Sequence, residues 1–196
     1  MPIRPKTTAV LAALNLLSGC AITSGPALPT LPPHPESSRR GLVYGASYAL
    51  LVTAPQDWVL DTKSGSAEGL QAVFYPEGRS WQDAPAVLYV KAAPRTAKDD
   101  LEAFIARDLG RLQARSPDMT MHSGPALETA DRKSVEVRYF SADRWGDSQA
   151  IAYIREKTVV VMVVLAARTP RSYASALPAL AEVVQSYKLM DEDAHE

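Results

Sequence analysis

Residues 159–165 read VVVMVVL, and every side chain in this stretch is apolar. A β-strand presents alternate side chains to the two faces of its sheet, so a strand that is apolar throughout must be covered on both faces. The stretch follows Glu156-Lys157 and precedes Thr169-Pro170, which is typical of a helix start. It therefore predicts the central strand of a sheet that has further layers on both sides.

Shorter apolar patterns elsewhere predict the other strands of this sheet. Tyr48, Leu50 and Val52 alternate with small residues, which indicates an opening strand with one buried face. Proline ends two later runs, at Pro76 and Pro94. Apolar and polar residues alternate around Val137, and a second apolar run around Tyr153 follows after a polar segment. The two runs predict a hairpin with a long turn. The later strands are expected near residues 72–75, 87–90, 119–121, 135–139 and 151–154.

Two amphipathic helices are expected to cover the sheet. The first is predicted to begin at Thr96 as N-cap, with Asp99 and Asp100 in its first turn, and to end near Arg115. Its apolar positions recur with helical spacing, at Leu101, Phe104, Ile105, Leu109 and Leu112, whereas Arg107, Asp108 and Arg111 are expected to face water.

The second helix is predicted to begin at Thr169-Pro170 and to continue to about Tyr187. Pro178 lies inside this stretch and lacks the backbone N–H that an internal helical position donates. We therefore expect it to kink or split the helix. The order of strands and helices predicts an α+β fold with an antiparallel sheet flanked by helices.

Several local patterns together resemble a known family. They are Pro55 and Trp58 after the opening strand, the strand ending Phe74-Tyr75-Pro76, the amphipathic middle helix, the Ala130-Asp131 turn before a Val-rich hairpin, and the closing helix. In this order they resemble the PsbP-like α/β/α sandwich over residues 42–190. That fold is shared by a photosystem subunit, a Ran-binding nuclear-transport factor and DcrB-like bacterial lipoproteins. The resemblance implies a domain that binds partners and has no common catalytic centre.

The N-terminus looks like the signal of a bacterial lipoprotein. A basic start at Arg4 and Lys6 precedes an apolar run of about eleven residues, which is too short to span a bilayer. Leu17-Ser18-Gly19-Cys20 then resembles a lipobox, and Cys20 is the only cysteine. The resemblance implies cleavage after Gly19, a diacylglyceryl group on the Cys20 thiol and an acyl chain such as palmitate on the new amino terminus.

The expected location follows from the same segment. Ala21 occupies the position after Cys20, and the lack of aspartate there implies outer-membrane sorting in a Gram-negative host, with the domain in the periplasm. In a Gram-positive host the same anchor would hold the protein on the cell membrane. The expected organisation is a signal peptide (1–19), a lipidated cysteine and proline-rich linker (20–39), one domain (40–190) and an acidic tail (191–196).

Composition excludes several classes of function. Removal of the signal peptide with Arg4 and Lys6 leaves a mildly acidic chain, so a basic footprint for nucleic acid is missing. The sequence contains no phosphate-binding glycine loop, and its few histidines are too dispersed for a zinc site. We therefore expect no cofactor and no metal.

His122 is the only histidine inside the predicted fold, and it could form a hydrolytic triad with Ser123 or Ser134 and Asp131. No nucleophile elbow supports that arrangement, and a surface histidine at a strand end is the simpler interpretation. Catalytic residues are therefore not predicted, and a hydrolase is the weakest of three hypotheses. The others are a protein that binds another envelope protein, which we favour, and a carrier or sensor of a small apolar ligand held between sheet and helix.

Two tryptophans are candidates for partner binding. Trp81 and Trp145 both lie in polar turns, and Arg144 precedes the second. Aromatic residues beside arginine are enriched at protein interfaces. Packing of each ring onto its own loop is the competing interpretation. Tyr75, Arg79 and Tyr139 could join such a patch if the fold brings them together.

Overall fold

The computed structural model describes residues 39–45, 48–95, 100–141 and 147–190. Within these ranges the chain forms eleven strands and two α-helices, and every strand pair is antiparallel. The α+β prediction is confirmed. In chain order the elements are β1 (Arg40–Gly45), β2 (Tyr48–Thr53), β3 (Trp58–Asp61), a 3₁₀ turn (Ser66–Glu68), β4 (Ala72–Pro76), β5 (Ala86–Pro94), α1 (Leu101–Arg115), β6 (Thr120–Ser123), β7 (Leu127–Glu128), β8 (Ser134–Ser141), β9 (Ser148–Arg155), β10 (Val159–Ala167), α2 (Pro170–Ser186) and β11 (Lys188–Met190).

The predicted central strand is the middle of the larger sheet. That sheet has the order β3-β4-β5-β10-β9-β8-β6, and the short strand β7 also pairs with β8. In β10, Val163 lies opposite Val90 of β5 and Ala152 of β9. Strand β10 therefore has a hydrogen-bonded neighbour on each edge.

The two faces of β10 belong to two separate cores. Val161, Val163 and Leu165 lie in the core beneath α2, which we call the α2-side core. Val160 and Val164 point the other way, into the α1-side core beneath α1. The alternation of a fully apolar strand thus divides its side chains between two layers, as the sequence predicts.

Helix α1 covers its core with the predicted apolar face, and Ile105 is its most buried residue. Two details of the prediction are wrong. Asp100 is the N-cap, and its Oδ1 accepts a hydrogen bond of 2.6 Å from the Ala103 N–H; Thr96 and Asp99 lie outside the described residues. Asp108 is half-buried rather than facing water. Its Oδ2 accepts a 2.8 Å hydrogen bond from the Tyr153 hydroxyl, and burial together with the Asp108 charge raises the pKa of Tyr153.

Helix α2 begins as predicted, with Thr169 and Ser172 forming a capping box. Pro178 does not split the helix, which runs continuously to Ser186. Pro178 lies on the exposed side, whereas Leu180 and Val183 are buried in the α2-side core. Tertiary packing of that apolar face offsets the helix hydrogen bond that proline cannot donate.

A second sheet was not predicted from the sequence; in it, β1, β2 and β11 pair in that order. The domain does not open at Tyr48, because β1 precedes it and pairs with β2 as a hairpin. Strand β1 packs closely, since a Cβ on Gly41 would lie 2.3 Å from Leu60 Cδ2. Trp58 begins β3 and is partly buried against the α2-side core.

The buried carboxylate of Glu156, after β9, binds Lys133, which precedes β8, and Tyr187, which follows α2. Glu156 lies between β9 and β10, and its side chain is only 6% exposed. Lys133 Nζ donates to both of its oxygens, at 2.7 and 2.9 Å, and the Tyr187 hydroxyl donates at 2.9 Å. Lys133 also forms an ion pair of 3.1 Å with Asp131. Burial and the Glu156 charge both raise the pKa of Tyr187, so this hydroxyl remains a donor.

We predict that Lys133→Met destabilises the fold by about 2 kcal/mol. The buried Glu156 charge would then have only the neutral Tyr187 hydroxyl as a hydrogen-bond donor. The value is below that for a fully buried pair, since the Lys133 side chain is 36% exposed. Urea unfolding followed by circular dichroism measures the change. Lys157→Met is the matched control, because Lys157 is exposed and next to Glu156. Equal stability of the two variants would contradict a stabilising role for the ion pair.

Candidate partner-binding surface

An open cleft of about 510 Å³ lies beside β1. Leu42 and Tyr44 form one wall, and residues between Thr62 and Gln71 form the other. The full lining is Leu42, Tyr44, Thr62, Ser66, Gly69, Leu70 and Gln71. These side chains are uncharged, and apolar surface alternates with hydroxyl and amide groups.

The wall on β1 is the most exposed apolar surface near the cleft. Leu42 is 51% exposed and Tyr44 is 66% exposed, whereas Val43 between them is buried. Alternation along the strand explains this pattern, because Val43 packs in the α2-side core and its neighbours point away from it. An exposed leucine and tyrosine side by side at a cleft are typical of an interaction surface.

The opposite wall is held by a compact set of hydrogen bonds around Asp61. Its carboxylate accepts from the Lys63 N–H at 2.7 Å, the Ser64 N–H at 3.0 Å and the Tyr75 hydroxyl at 2.9 Å. Farther along, the Leu70 N–H donates to the Gly65 carbonyl at 3.0 Å. This wall is therefore preorganised before any ligand arrives.

The same hydrogen bonds change the acidity of Asp61. Burial by itself would raise its pKa, but the hydrogen bonds from Ser64, Lys63 and Tyr75 outweigh burial and lower the pKa to about 2. Burial and the neighbouring carboxylate raise the pKa of Tyr75 to about 12. Asp61 is thus ionised and Tyr75 neutral over the physiological range.

A second, smaller cleft continues the first towards β5. It has a volume of about 280 Å³ and shares Gly69 and Gln71 with the larger cleft. Its other lining residues come mainly from β5, and Tyr48 of β2 contributes its ring. The Tyr48 hydroxyl donates to Gln71 Oε1 at 3.4 Å. Together the two clefts form an elongated groove over the surface from β1 to β5.

Trp81 lies near this groove and is already engaged within the domain. Its Nε1 donates to Glu68 Oε1 at 3.3 Å, and its ring packs edge-on against Tyr89 with centroids 6.2 Å apart. Lys91 Nζ lies 5.1 Å from the centroid of the same Tyr89 ring. Trp81 therefore packs on β5 and on the 3₁₀ turn, rather than on its own loop alone.

The other two residues of the predicted patch, Arg144 and Trp145, lie outside the described residues. The nearest described strands on either side of them are β8, which ends at Ser141, and β9, which begins at Ser148. Ser148 at the start of β9 pairs with Ala167, and Ala167 pairs with Ala86 at the start of β5. The start of β5, which follows the Trp81 segment, and the start of β9 thus lie at the same end of the sheet. A joint tryptophan surface remains a prediction.

Two tyrosines considered for that patch lie far apart. Tyr75 is in β4 and Tyr139 is in β8, with β5, β10 and β9 between them. Four strand spacings correspond to roughly 19 Å. Tyr75 and Tyr139 therefore cannot both contact Trp81 in one compact patch. Arg79, the other residue considered for the patch, is exposed and follows β4.

The residues proposed for a hydrolytic triad have other surroundings. His122 is exposed on the edge strand β6, where it lies opposite Tyr139. Asp131 binds Lys133 and accepts a short hydrogen bond from the Thr129 hydroxyl. Ser134 lies opposite Glu128 of β7. The geometry therefore gives no support to a Ser-His-Asp arrangement at these positions.

Within the described ranges, no three His, Cys, Asp or Glu side chains lie close enough together to bind a metal ion. No helix in that part of the chain is long and apolar enough to cross a membrane.

The described architecture is that of the PsbP-like α+β class, an antiparallel sheet between helical layers, and comparisons with solved structures confirm it. A scan against protein-family models found no match, and neither did a search of curated proteins.

Two solved structures carry this comparison. Cyanobacterial PsbP (CyanoP) from Synechocystis sp. PCC 6803 is similar with a TM-score of 0.54 and 10% identity, over 82% of this chain and 98% of that one. LpqN, involved in cell envelope biogenesis of Mycobacterium tuberculosis, is similar with a TM-score of 0.53 and 15% identity, over 78% and 91%. The Ran-binding protein Mog1p of Saccharomyces cerevisiae gives a TM-score of 0.46 at 18% identity, over 79% and 97%.

We predict that the Asp61→Asn variant loses less stability than the wild type when the pH falls from 7 to 2.5. A carboxyl with a lowered folded-state pKa stabilises the fold above its unfolded value near 3.8, and this stabilisation is lost as the pH falls towards about 2. Thermal melts at pH 7, 4 and 2.5 should therefore show a smaller acid-induced drop in Tm for the variant. Tyr75→Phe removes one donor to Asp61, so its acid-induced drop in Tm should be smaller than that of the wild type and larger than that of Asp61→Asn. Identical pH profiles for wild type and Asp61→Asn would contradict this assignment.

Proposed function

We propose that this chain is a non-catalytic, lipid-anchored envelope protein whose PsbP-like domain binds another envelope protein. The observation that carries the proposal is the uncharged cleft with Leu42 and Tyr44 exposed on one wall. Exposed apolar side chains beside a preorganised concave surface are typical of recognition sites. The surface offers contact area but no grouped acid, base or nucleophile.

The structural neighbours are consistent with this role. LpqN, which shares the fold, is described as involved in cell envelope biogenesis. That description supports an envelope role for the present chain without naming its partner. The absence of an assembled triad around His122 supports binding over hydrolysis.

The proposed location rests on the N-terminal sequence. We assign Leu17, Ser18 and Gly19 to the lipobox and Cys20 to the lipid attachment site, with the domain in the periplasm and the lipid in the outer membrane. The proline-rich segment 20–39 would span roughly 60 Å if extended at about 3.1 Å per residue. Such a spacer lets an anchored domain reach a partner away from the headgroups.

We predict that Cys20→Ser abolishes both acylation and membrane retention, because a serine hydroxyl is too weak a nucleophile to replace the thiol. Labelled palmitate incorporation and membrane fractionation in the native host measure the two effects. Leu17→Ile is a control, since it keeps an apolar residue at the start of the lipobox. Palmitate still incorporated into Cys20→Ser would show that the anchor assignment is wrong.

We predict that Leu42→Ser combined with Tyr44→Ser reduces partner capture from membranes about tenfold or more, because both side chains would lose their apolar contact. Crosslinking in living cells followed by affinity purification measures capture. Met121→Ser is the matched control, since Met121 is 48% exposed on β6, the far edge of the larger sheet.

The Trp81→Ala, Trp145→Ala double variant separates the two candidate surfaces. Loss of capture in this variant but not in the β1 variant would place binding at the tryptophan patch instead of the cleft. Failure of the wild-type protein to capture any partner would contradict the proposed function itself.

A further inference from the structure

Strand β1 is the outer strand of the three-stranded sheet. It pairs with β2 on one side, and in the part of the chain that the structure describes no strand pairs with its other side. The cleft formed with residues 62–71 lies against this strand. An open strand edge next to a cleft is a site where an additional strand can bind.

The backbone groups available on this edge follow from the register. The Ala54 N–H donates to the Arg39 carbonyl at 2.6 Å, which marks residues 39 and 54 as a hydrogen-bonded pair. Hydrogen-bonded and non-hydrogen-bonded pairs alternate along an antiparallel ladder. The Leu42–Leu51 and Tyr44–Ala49 pairs are therefore non-hydrogen-bonded. The N–H and C=O groups of Leu42 and Tyr44 point away from β2, towards the open edge.

The β1 edge is less protected against strand pairing than the edge strands β3, β6 and β11. Proteins prevent unwanted strand pairing with short edge strands, charged side chains, proline or bulges. Strand β3 has four residues and ends at Asp61, β6 has four residues and is mainly polar, and β11 has three and begins with Lys188. Strand β1 has six residues and begins with the charged Arg40, but its remaining length, Gly41–Gly45, contains no charged residue and no proline.

The cleft also constrains the chemistry of an added strand. Its lining carries no charge, so a charged side chain placed there would lose hydration without gaining a partner. Apolar or small polar side chains would contact Leu42, Tyr44 and Leu70, and Gln71 offers an amide for hydrogen bonding.

We infer that β1 receives an extended, uncharged peptide segment of the partner protein as an added strand, paired with the backbone of Leu42 and Tyr44 and seated in the cleft. This inference rests on the proposed function and specifies its mode of recognition. Main-chain hydrogen bonds would supply affinity, and alternate side chains in the cleft would supply selectivity.

The test uses the full lipidated chain in its native membranes, with the photocrosslinking residue p-benzoylphenylalanine as the probe at position 44 or, as a control, at position 121. We expect the probe at position 44 to yield an adduct that mass spectrometry maps to an extended segment without charged residues. The probe at position 121 should yield at least tenfold less of it.

A second pair of variants tests backbone pairing, using the same photocrosslinking residue at position 44. Leu42→Pro removes the outward N–H while keeping an apolar side chain, and Leu42→Val keeps that N–H. We expect the adduct to fall at least tenfold with Leu42→Pro and to persist with Leu42→Val. If circular dichroism shows that Leu42→Pro does not fold, Leu42→Lys takes its place as a test of the uncharged cleft, because it adds a charge to the lining that should also remove the adduct. An adduct yield from Leu42→Lys equal to that from Leu42→Val would then overturn the inference.

Several results would overturn the inference. They are an adduct on residues 21–38 of the same chain, on a second copy or on a glycan, a mapped segment rich in charge, or equal adduct yields from Leu42→Pro and Leu42→Val. If a partner is still captured in any of these cases, the proposed function stands and only strand addition fails. If no partner is captured with the probe at any position, both fail.

Discussion

The structure depends on the burial of β10 on both faces. Val161, Val163 and Leu165 face one core, whereas Val160 and Val164 face the other. Burial of one side chain of this size stabilises the folded state by roughly 1.5–3 kcal/mol. Removal of either helix would expose several of these side chains, and their contributions would be lost together. The flanking strands β5 and β9 also satisfy the backbone groups of β10. The two helices and the sheet are therefore stabilised together, through one strand.

This dependence explains which parts of the fold could be predicted from the sequence. The β10 run, the apolar face of α1 and the Thr169-Pro170 start of α2 each carry a signal within their own residues. Strands β1 and β11 do not, because each is defined by pairing with β2. The half-buried position of Asp108 was equally invisible, since it depends on the Tyr153 hydroxyl, 45 residues away in sequence.

The candidate site was predicted less well than the fold. The sequence drew attention to tryptophans in polar turns, and Trp81 turns out to contact Glu68 and Tyr89 within the domain. Leu42 and Tyr44 were missed because the alternation that predicts the opening strand was recognised only from Tyr48 onwards. The usable signal was the combination of two bulky apolar residues at i and i+2 with no charge or proline between the glycines. That pattern indicates a strand, and the strand order of its sheet shows that it is an outer one, where a stretch without charge or proline leaves the backbone open to pairing.

The two walls of the cleft have different physical origins, and both matter for binding. Residues 61–71 are ordered by the Asp61 carboxylate and the hydrogen bonds around it. Strand β1 is ordered by its ladder with β2 and by the burial of Val43. A ligand that enters a cleft with two ordered walls loses only its own conformational freedom, so more of the contact energy remains as affinity. Because β1 starts directly after the proline-rich segment, the edge proposed for the partner is also the part of the domain nearest in sequence to the proposed anchor.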